Sequence, residues 1–253
     1  MDLHLRDRVF VVTAASGGLG RATAEQLVAE GARVVLVARR TDVLAEAVAE
    51  LGPDRAVAVT ADLADPATGE LACLVARHAY GRLDGALVSV GGPPPGTALG
   101  TTDEQWTTAF DRVFLAALRV TRAVVSHATA PDVAVAWVLS TSVRSPVGGL
   151  ATSNGLRPGL GMLVKQLADE LGPSGGRVVG LMPGRVETER VRQLDAGDAD
   201  PEAARAAREA SIPLRRYGTP DEFGRVAAFL LSPAASYLTG CVVPVEGGAL
   251  RSL

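Results

Sequence analysis

Residues 8–39 read RVFVVTAASGGLGRATAEQLVAEGARVVLVAR. A β-branched run ends in a glycine-rich turn. Apolar residues then recur at helical spacing as far as Gly31, and a second β-branched run follows. That order predicts a strand–helix–strand unit with the turn TAASGGLG (13–20) at the carboxyl end of its first strand. Glycines there let the backbone approach a pyrophosphate, and unpaired N–H groups at the helix start can hold it. Plain strand-to-helix turns also use glycine, so the signal gains its weight from its position between a strand and a helix.

The same alternation continues outward. TDVLAEAVAEL (41–51) predicts a helix with Thr41 as N-cap, RAVAVTAD (55–62) a third strand, residues 71–80 a helix, and GALVSVGG (85–92) a fourth strand. A long helix follows TTDEQW (101–106), then the strand VAVAWVLS (133–140), a helix-like stretch over 150–171, GRVVGLMPG (176–184), an Ala/Arg-rich segment, a helix at 221–231 and CVVPVEGG (241–248). Strands alternating with helices of this length predict an α/β fold, a Rossmann-like doubly wound parallel sheet. With neither linker nor repeat in sight, residues 1–253 read as a single domain.

Composition narrows the function. Of 253 residues 47% are apolar and only 4% aromatic, so the core must be built from Ala, Val and Leu. The net charge of −3, without a dominant basic run, argues against a nucleic-acid partner. No apolar run is long enough for a membrane span, and MDLHLRDRVF lacks an apolar signal region, which predicts a cytoplasmic protein. Cys73 and Cys241 read as buried reduced thiols. His4, His78 and His127 have no metal-ligand spacing and read as surface residues, so no metal is expected.

The motifs taken together resemble the short-chain dehydrogenase/reductase family over nearly the whole chain. The family's Thr-Gly-x-x-x-Gly-x-Gly appears as Thr13, Ala14, Gly18 and Gly20, with the first glycine replaced. The resemblance implies a cofactor-binding turn that also includes Ser16 and Leu19. It implies an adenine contact at Asp62 with Leu63, and a nicotinamide loop at Pro183, Gly184, Val186 and Thr188 in LMPGRVET. The loop SVGGPPPGTAL (89–99) would line the nicotinamide pocket through Gly91, with its prolines stiffening the wall; the alternative is a rigid surface turn. Residues 212–248 resemble the family's C-terminal end, and residues 187–217, with Asp195, Asp198 and Asp200, match its substrate lid, or equally a solvated helix pair.

The end of the second strand selects the cofactor. An acid there would bind the 2′-hydroxyl of NAD and repel a phosphate. This chain has Ala38, Arg39 and Arg40, and a guanidinium suits a phosphate, so NADPH is the expected cofactor. The competing reading is that both arginines are solvated surface charge.

The reacting end departs from the family, whose members use Asn, Ser, Tyr and Lys. Alignment on KQLADEL (165–171) puts Ser153 at the tyrosine, Arg157 at the lysine and Ser140 at the serine. Reading STSV as the family's Ser-Ser-Val gives Ser142 instead, and both stay open. Val113 falls at the asparagine. An aliphatic hydroxyl is too weak an acid to replace a tuned phenol, and Arg157 stays protonated, so it can stabilise an oxyanion but donates a proton poorly. Ser153 reads equally well as a helix N-cap, Ser140 and Ser142 as a strand-end turn, and Pro158 fits best if its helix begins only shortly before it. The expectation is an NADPH-dependent ketoreductase acting on a small-molecule carbonyl: a hydroxyaryl ketone, polyketide or quinone-like compound whose own hydroxyl, or water, supplies the proton. The rivals are a redox-silent relative catalysing a cyclisation or dehydration, and a non-catalytic binding protein. Small and apolar residues on 104–127 and 153–171, such as Ala116, Ala117, Leu160 and Leu163, predict a homotetramer through those helices, with a dimer next.

Overall fold

In the computed structural model, which describes residues 1–197 and 199–252, the sheet has seven parallel strands in the order β3-β2-β1-β4-β5-β6-β7. They are β1 (Val9–Thr13), β2 (Arg33–Ala38), β3 (Ala56–Thr60), β4 (Gly85–Val88), β5 (Ala134–Val138), β6 (Arg177–Pro183) and β7 (Val242–Val245). The central strands are buried along their whole length and almost wholly apolar because helices cover both of their faces. On one face lie α1 (Gly18–Ala29), α2 (Thr41–Leu51) and α9 (Pro220–Leu231), through Leu27, Leu44 and Phe223. On the other lie α3 (Thr68–Tyr80), α5 (Ala116–His127) and α6 (Ala151–Leu171), through Cys73, Val120 and Leu160. The expected doubly wound architecture is therefore present. β1 and β4 are neighbours, and the strand order reverses between them. In such sheets ligands bind outside the carboxyl ends of the strands at that reversal.

Several local expectations change. The helix expected over 104–127 is α4 (Asp103–Ala109), a π-helical turn (Phe110–Leu115) and then α5. Thr41 lies inside α2, whose N-cap is Arg40. Ser153 is not an N-cap: α6 starts two residues earlier, with Leu150 at the cap. Pro158 consequently lies well inside α6, where its ring removes one helical hydrogen bond.

Cys73 is buried and its thiol is pushed up to about 12, first by burial and then by Glu70, which makes it unreactive. Cys241 is only half-buried. His4 and His78 are exposed, whereas His127 is half-buried with Nε2 2.7 Å from a Glu70 oxygen. The buried Arg177 donates to the carbonyls of Leu230, Leu231, Ser232, Ala235 and Leu238 at 3.0 to 3.4 Å, closing the C-terminal end of α9.

Candidate active site

The glycine-rich turn joins β1 to α1. Gly18 has φ of +55°, and a Cβ on Gly20 would lie 2.7 Å from the Ala14 carbonyl oxygen and 2.8 Å from that of Thr13. Only glycine fits at 20. Ala14, where the resemblance places a glycine, keeps a left-handed backbone at φ +50°, at a cost of roughly 1–2 kcal/mol for a residue with a Cβ. The first turn of α1 has no side-chain cap and no acid, so its N–H groups are open to an anion. Thr13, expected to contact the cofactor, also ties two strands together. Its hydroxyl donates to the Ser89 carbonyl at 2.7 Å and accepts from the Ser89 N–H at 2.8 Å, tying β1 to β4 at the crevice. Leu19 packs against the core on the α1 side.

A cleft of about 620 Å³ opens at the carboxyl ends of the strands and is lined by Ser16, Arg39, Arg40, Asp62, Leu63 and Gly91. Arg40 is tethered there, donating to the Ser16 carbonyl at 3.0 Å and to the Ser16 hydroxyl at 3.2 Å. Arg39 is looser: its side chain is 72% exposed and 3.9 Å from an Asp62 oxygen. The π-helical turn adds Arg112, a third guanidinium on this cleft that sequence reasoning missed although it adjoins Val113. A glycine cradle that a Cβ would fill, an uncapped helix start and clustered arginines fit a dinucleotide phosphate at this end.

Pro183 ends β6, Gly184, Val186 and Thr188 follow it, and none of the four lines that cleft. A Cβ on Gly184 would lie 2.6 Å from Glu246 Cβ, so the loop hugs the C-terminal segment. Val186 is buried and bridges Gly218. Thr188 accepts from the Val191 N–H as N-cap of α7 (Glu189–Asp195), and its Cγ2 lies 3.3 Å from where a Gly18 Cβ would stand. The two loops thus face each other across the turn.

The segment expected to form a lid contains α7 and α8 (Pro201–Ser211), and Asp195 within it is not solvated. Asp195 is buried and accepts from Arg185 at 2.6 Å, Arg208 at 2.9 Å and the Tyr217 hydroxyl at 3.0 Å. Burial is the first cause holding the Tyr217 phenol above its usual range. Asp200 caps α8 through the Ala203 N–H; Asp198 lies outside the described residues. Arg190, also missed in the sequence, reaches across to donate to the Pro93 carbonyl at 2.6 Å. The start of α7 is thereby fastened to the proline-rich loop.

At the reacting end the structure separates the two serines. Ser140 caps a 3-10 turn (Thr141–Val143) by accepting from the Ser142 N–H at 3.1 Å. The buried Ser142 hydroxyl lies 3.1 Å from the Ser153 hydroxyl and 3.4 Å from the Ser153 carbonyl. Ser142, not Ser140, therefore meets Ser153. Arg157 is one helical turn further along the same face of α6 and is only 6% exposed; it donates to the Val138 carbonyl at 2.7 Å. Burial pulls its guanidinium down to about 10, so it is still a cation at neutral pH. Val113 is buried in the π-helical turn and offers no polar atom. Among the described residues, no cluster of His, Cys, Asp and Glu is placed to hold a metal, and no helix is long and apolar enough to cross a membrane.

Comparison with known proteins follows the same lines. A family model described as Enoyl-(Acyl carrier protein) reductase matches residues 13–249. A Streptomyces virginiae protein assigned as the ketoacyl reductase of the monensin polyketide synthase is 34% identical over 251 residues, 95% of this chain and 96% of that one. L-sorbose reductase of Gluconobacter frateurii, solved with NADPH and L-sorbose, superposes with a TM-score of 0.92 at 28% identity, with both chains fully covered. An NADPH-bound short chain oxidoreductase of Pseudomonas aeruginosa PAO1, described as containing an atypical catalytic center, has a TM-score of 0.89 at 31% identity, covering 98% of this chain and 100% of that one.

Proposed function

The chain belongs to the short-chain dehydrogenase/reductase family, and from that premise we propose that it is an NADPH-dependent ketoreductase whose proton comes from the substrate or from water. The observation that carries this reading is a contrast between the phosphate end and the positions where the family keeps its catalytic residues. The phosphate end keeps its glycine cradle and adds Arg39, Arg40 and Arg112, while the reacting end has no group that titrates near neutrality. NADPH complexes among the similar solved structures support the choice of cofactor.

The chain's residues divide the work. Arg39 and Arg40 hold the 2′-phosphate, the first turn of α1 the pyrophosphate, and Asp62 with Leu63 the adenine; Pro183, Gly184, Val186 and Thr188 frame the nicotinamide. NADPH bound there supplies a hydride to the carbonyl carbon. Ser142 and Ser153 donate hydrogen bonds to the carbonyl oxygen, and the Arg157 cation offsets the negative charge that grows on it. None of these three is an acid matched to pH 7. A phenol or enol next to the carbonyl polarises it through an internal hydrogen bond and then gives up its proton; ordered water is the other source. Hydroxyaryl ketones, polyketides and quinone-like compounds have this arrangement, and the ketoacyl reductase relative supports that class. Ala116, Ala117 and Leu160, expected at a helix interface, are instead buried in the protomer's own core; a groove of about 410 Å³ between α5 and α6, lined by Leu118, Val125, Leu163 and Leu167, supports assembly into a homotetramer through these helices, with a dimer as the next choice.

Oxidation of NADPH, followed by absorbance against a panel of hydroxyaryl ketones and quinones with simple ketoesters as controls, tests the reading. Turnover is expected for the first group and little for the second. The missing acid favours a redox-silent cyclase or dehydratase as the second reading. Product formed from the panel without NADPH consumption would establish that reading instead.

A further inference from the structure

Two arginines are deeply buried in this fold, and their surroundings differ. Arg177 donates to five carbonyls at the end of α9, where the helix dipole is negative. Arg157 has one acceptor among the described residues, the Val138 carbonyl, and no carboxylate offsets its desolvation. Buried charges are otherwise paired or neutralised, because an isolated one is costly.

What surrounds Arg157 is rich in donors. Ser142 and Ser153 bring hydroxyls, and Ser153 shares the helix face of Arg157. Thr152, the residue before Ser153 in α6, has a buried Oγ1 without a partner among the described residues. All three α6 residues lie in its first two turns, towards the positive end of the dipole. A neutral hydroxyl arriving here would accept a hydrogen bond and leave the charge unmatched.

We propose that Arg157, Ser142 and Ser153 form an anion-binding site that takes, together with the carbonyl oxygen, an ionised oxygen that the substrate carries beside it: a carboxylate, or the ionised enol of a neighbouring 1,3-dicarbonyl unit, so that for these substrates water supplies the proton. That the occupant is a substrate rests on the reductase reading; the anion site itself does not. The site selects acids among carbonyl compounds. It also orients them, because a forked guanidinium fixes the plane of an oxyanion and so the face that the carbonyl turns to the cofactor.

Calorimetric titration of the full chain, with and without saturating NADP⁺, tests this with two matched pairs: salicylate against salicylamide, and dimedone, ionised at neutral pH, against its O-methyl ether. At least one anion should bind about tenfold or more tightly than its neutral partner, as for a charge-assisted contact. The pair that shows the difference tells carboxylate from enolate. Arg157→Gln should abolish the preference while circular dichroism stays native. Ser142→Ala, a smaller change, should weaken the anion about threefold to tenfold and the neutral partner less. Anions that bind no better than their neutral partners to the wild type, a preference that survives Arg157→Gln, or equal losses in Ser142→Ala would each overturn the assignment. A parallel NADPH titration keeps the two ideas apart, since its failure sinks the reductase reading and leaves the anion result standing.

Discussion

Replacing Arg157 by methionine should leave the protein as stable as before, or more stable. Burial holds the guanidinium at about 10. Against an ordinary value above 12, that depression corresponds to a penalty of about 3 kcal/mol. Below pH 10 both the folded and the unfolded chain carry the proton, so the penalty is present in full at pH 7. It is relieved only as pH rises from about 10 towards the unfolded value, where the unfolded state alone remains protonated. Methionine keeps the length and drops the charge. It also orphans the Val138 carbonyl, which costs about 1–3 kcal/mol. The balance lies between neutral and about 2 kcal/mol in favour of the variant. Arg177→Met is the matched control: it strips five acceptors of their donor and should cost about 3–5 kcal/mol. Urea unfolding at pH 7 and fixed protein concentration, extrapolated to water, measures both. A loss of 3 kcal/mol or more for Arg157→Met, of the order seen on breaking a buried ion pair, would mean that the cation has a partner in solution. The reasoning here and the anion site would then both fail.

Three further outcomes follow from the site. Arg39→Ala should weaken NADPH binding by roughly 1–3 kcal/mol and leave NADH nearly unchanged in a fluorescence titration; equal losses would refute the phosphate contact. Ser153→Ala should keep its initial rate within about tenfold, whereas methylating the substrate's neighbouring hydroxyl should cost more. A methyl ether that turns over normally on wild type, beside a dead Ser153→Ala, would put the proton source in the protein. Light scattering at micromolar concentration should give a tetramer, and a monomer would remove the role given to the α5–α6 groove.

The alternation of strands and helices and the glycine turn were legible because their signals are local. A β-branched run, a glycine turn and a helical period lie within residues 8–39, and β1, α1 and β2 appear there as expected. The misread positions are those whose partners are distant in the chain. Ser153 looks like an N-cap, yet α6 begins earlier because the Gly96 carbonyl, from the loop after β4, accepts the Ala151 N–H at 3.1 Å. A backbone contact from 55 residues away does the work of a capping side chain. Ser140 and Ser142 were indistinguishable until the 3-10 turn occupied one and turned the other towards Ser153. Asp195 looked solvated because its acceptors' donors, Arg185, Arg208 and Tyr217, converge only in three dimensions.

The proline-rich loop is held from both sides. Arg190 of α7 grips the Pro93 carbonyl, and three residues on Gly96 both donates to the Gly149 carbonyl at 2.8 Å and accepts from Ala151. Three prolines between or beside these points leave the segment little slack. The loop therefore acts as a stiff tie rod between α7 and the start of α6. A ligand that enters by displacing it must unlatch α7 and fray the turn bearing Ser153 in a single opening event. Amide hydrogen exchange has a direct signature for such gearing: Gly96 at the α6 end and Val191 at the start of α7 should exchange with one common opening free energy, and two unrelated values would show that the rod bends in the middle.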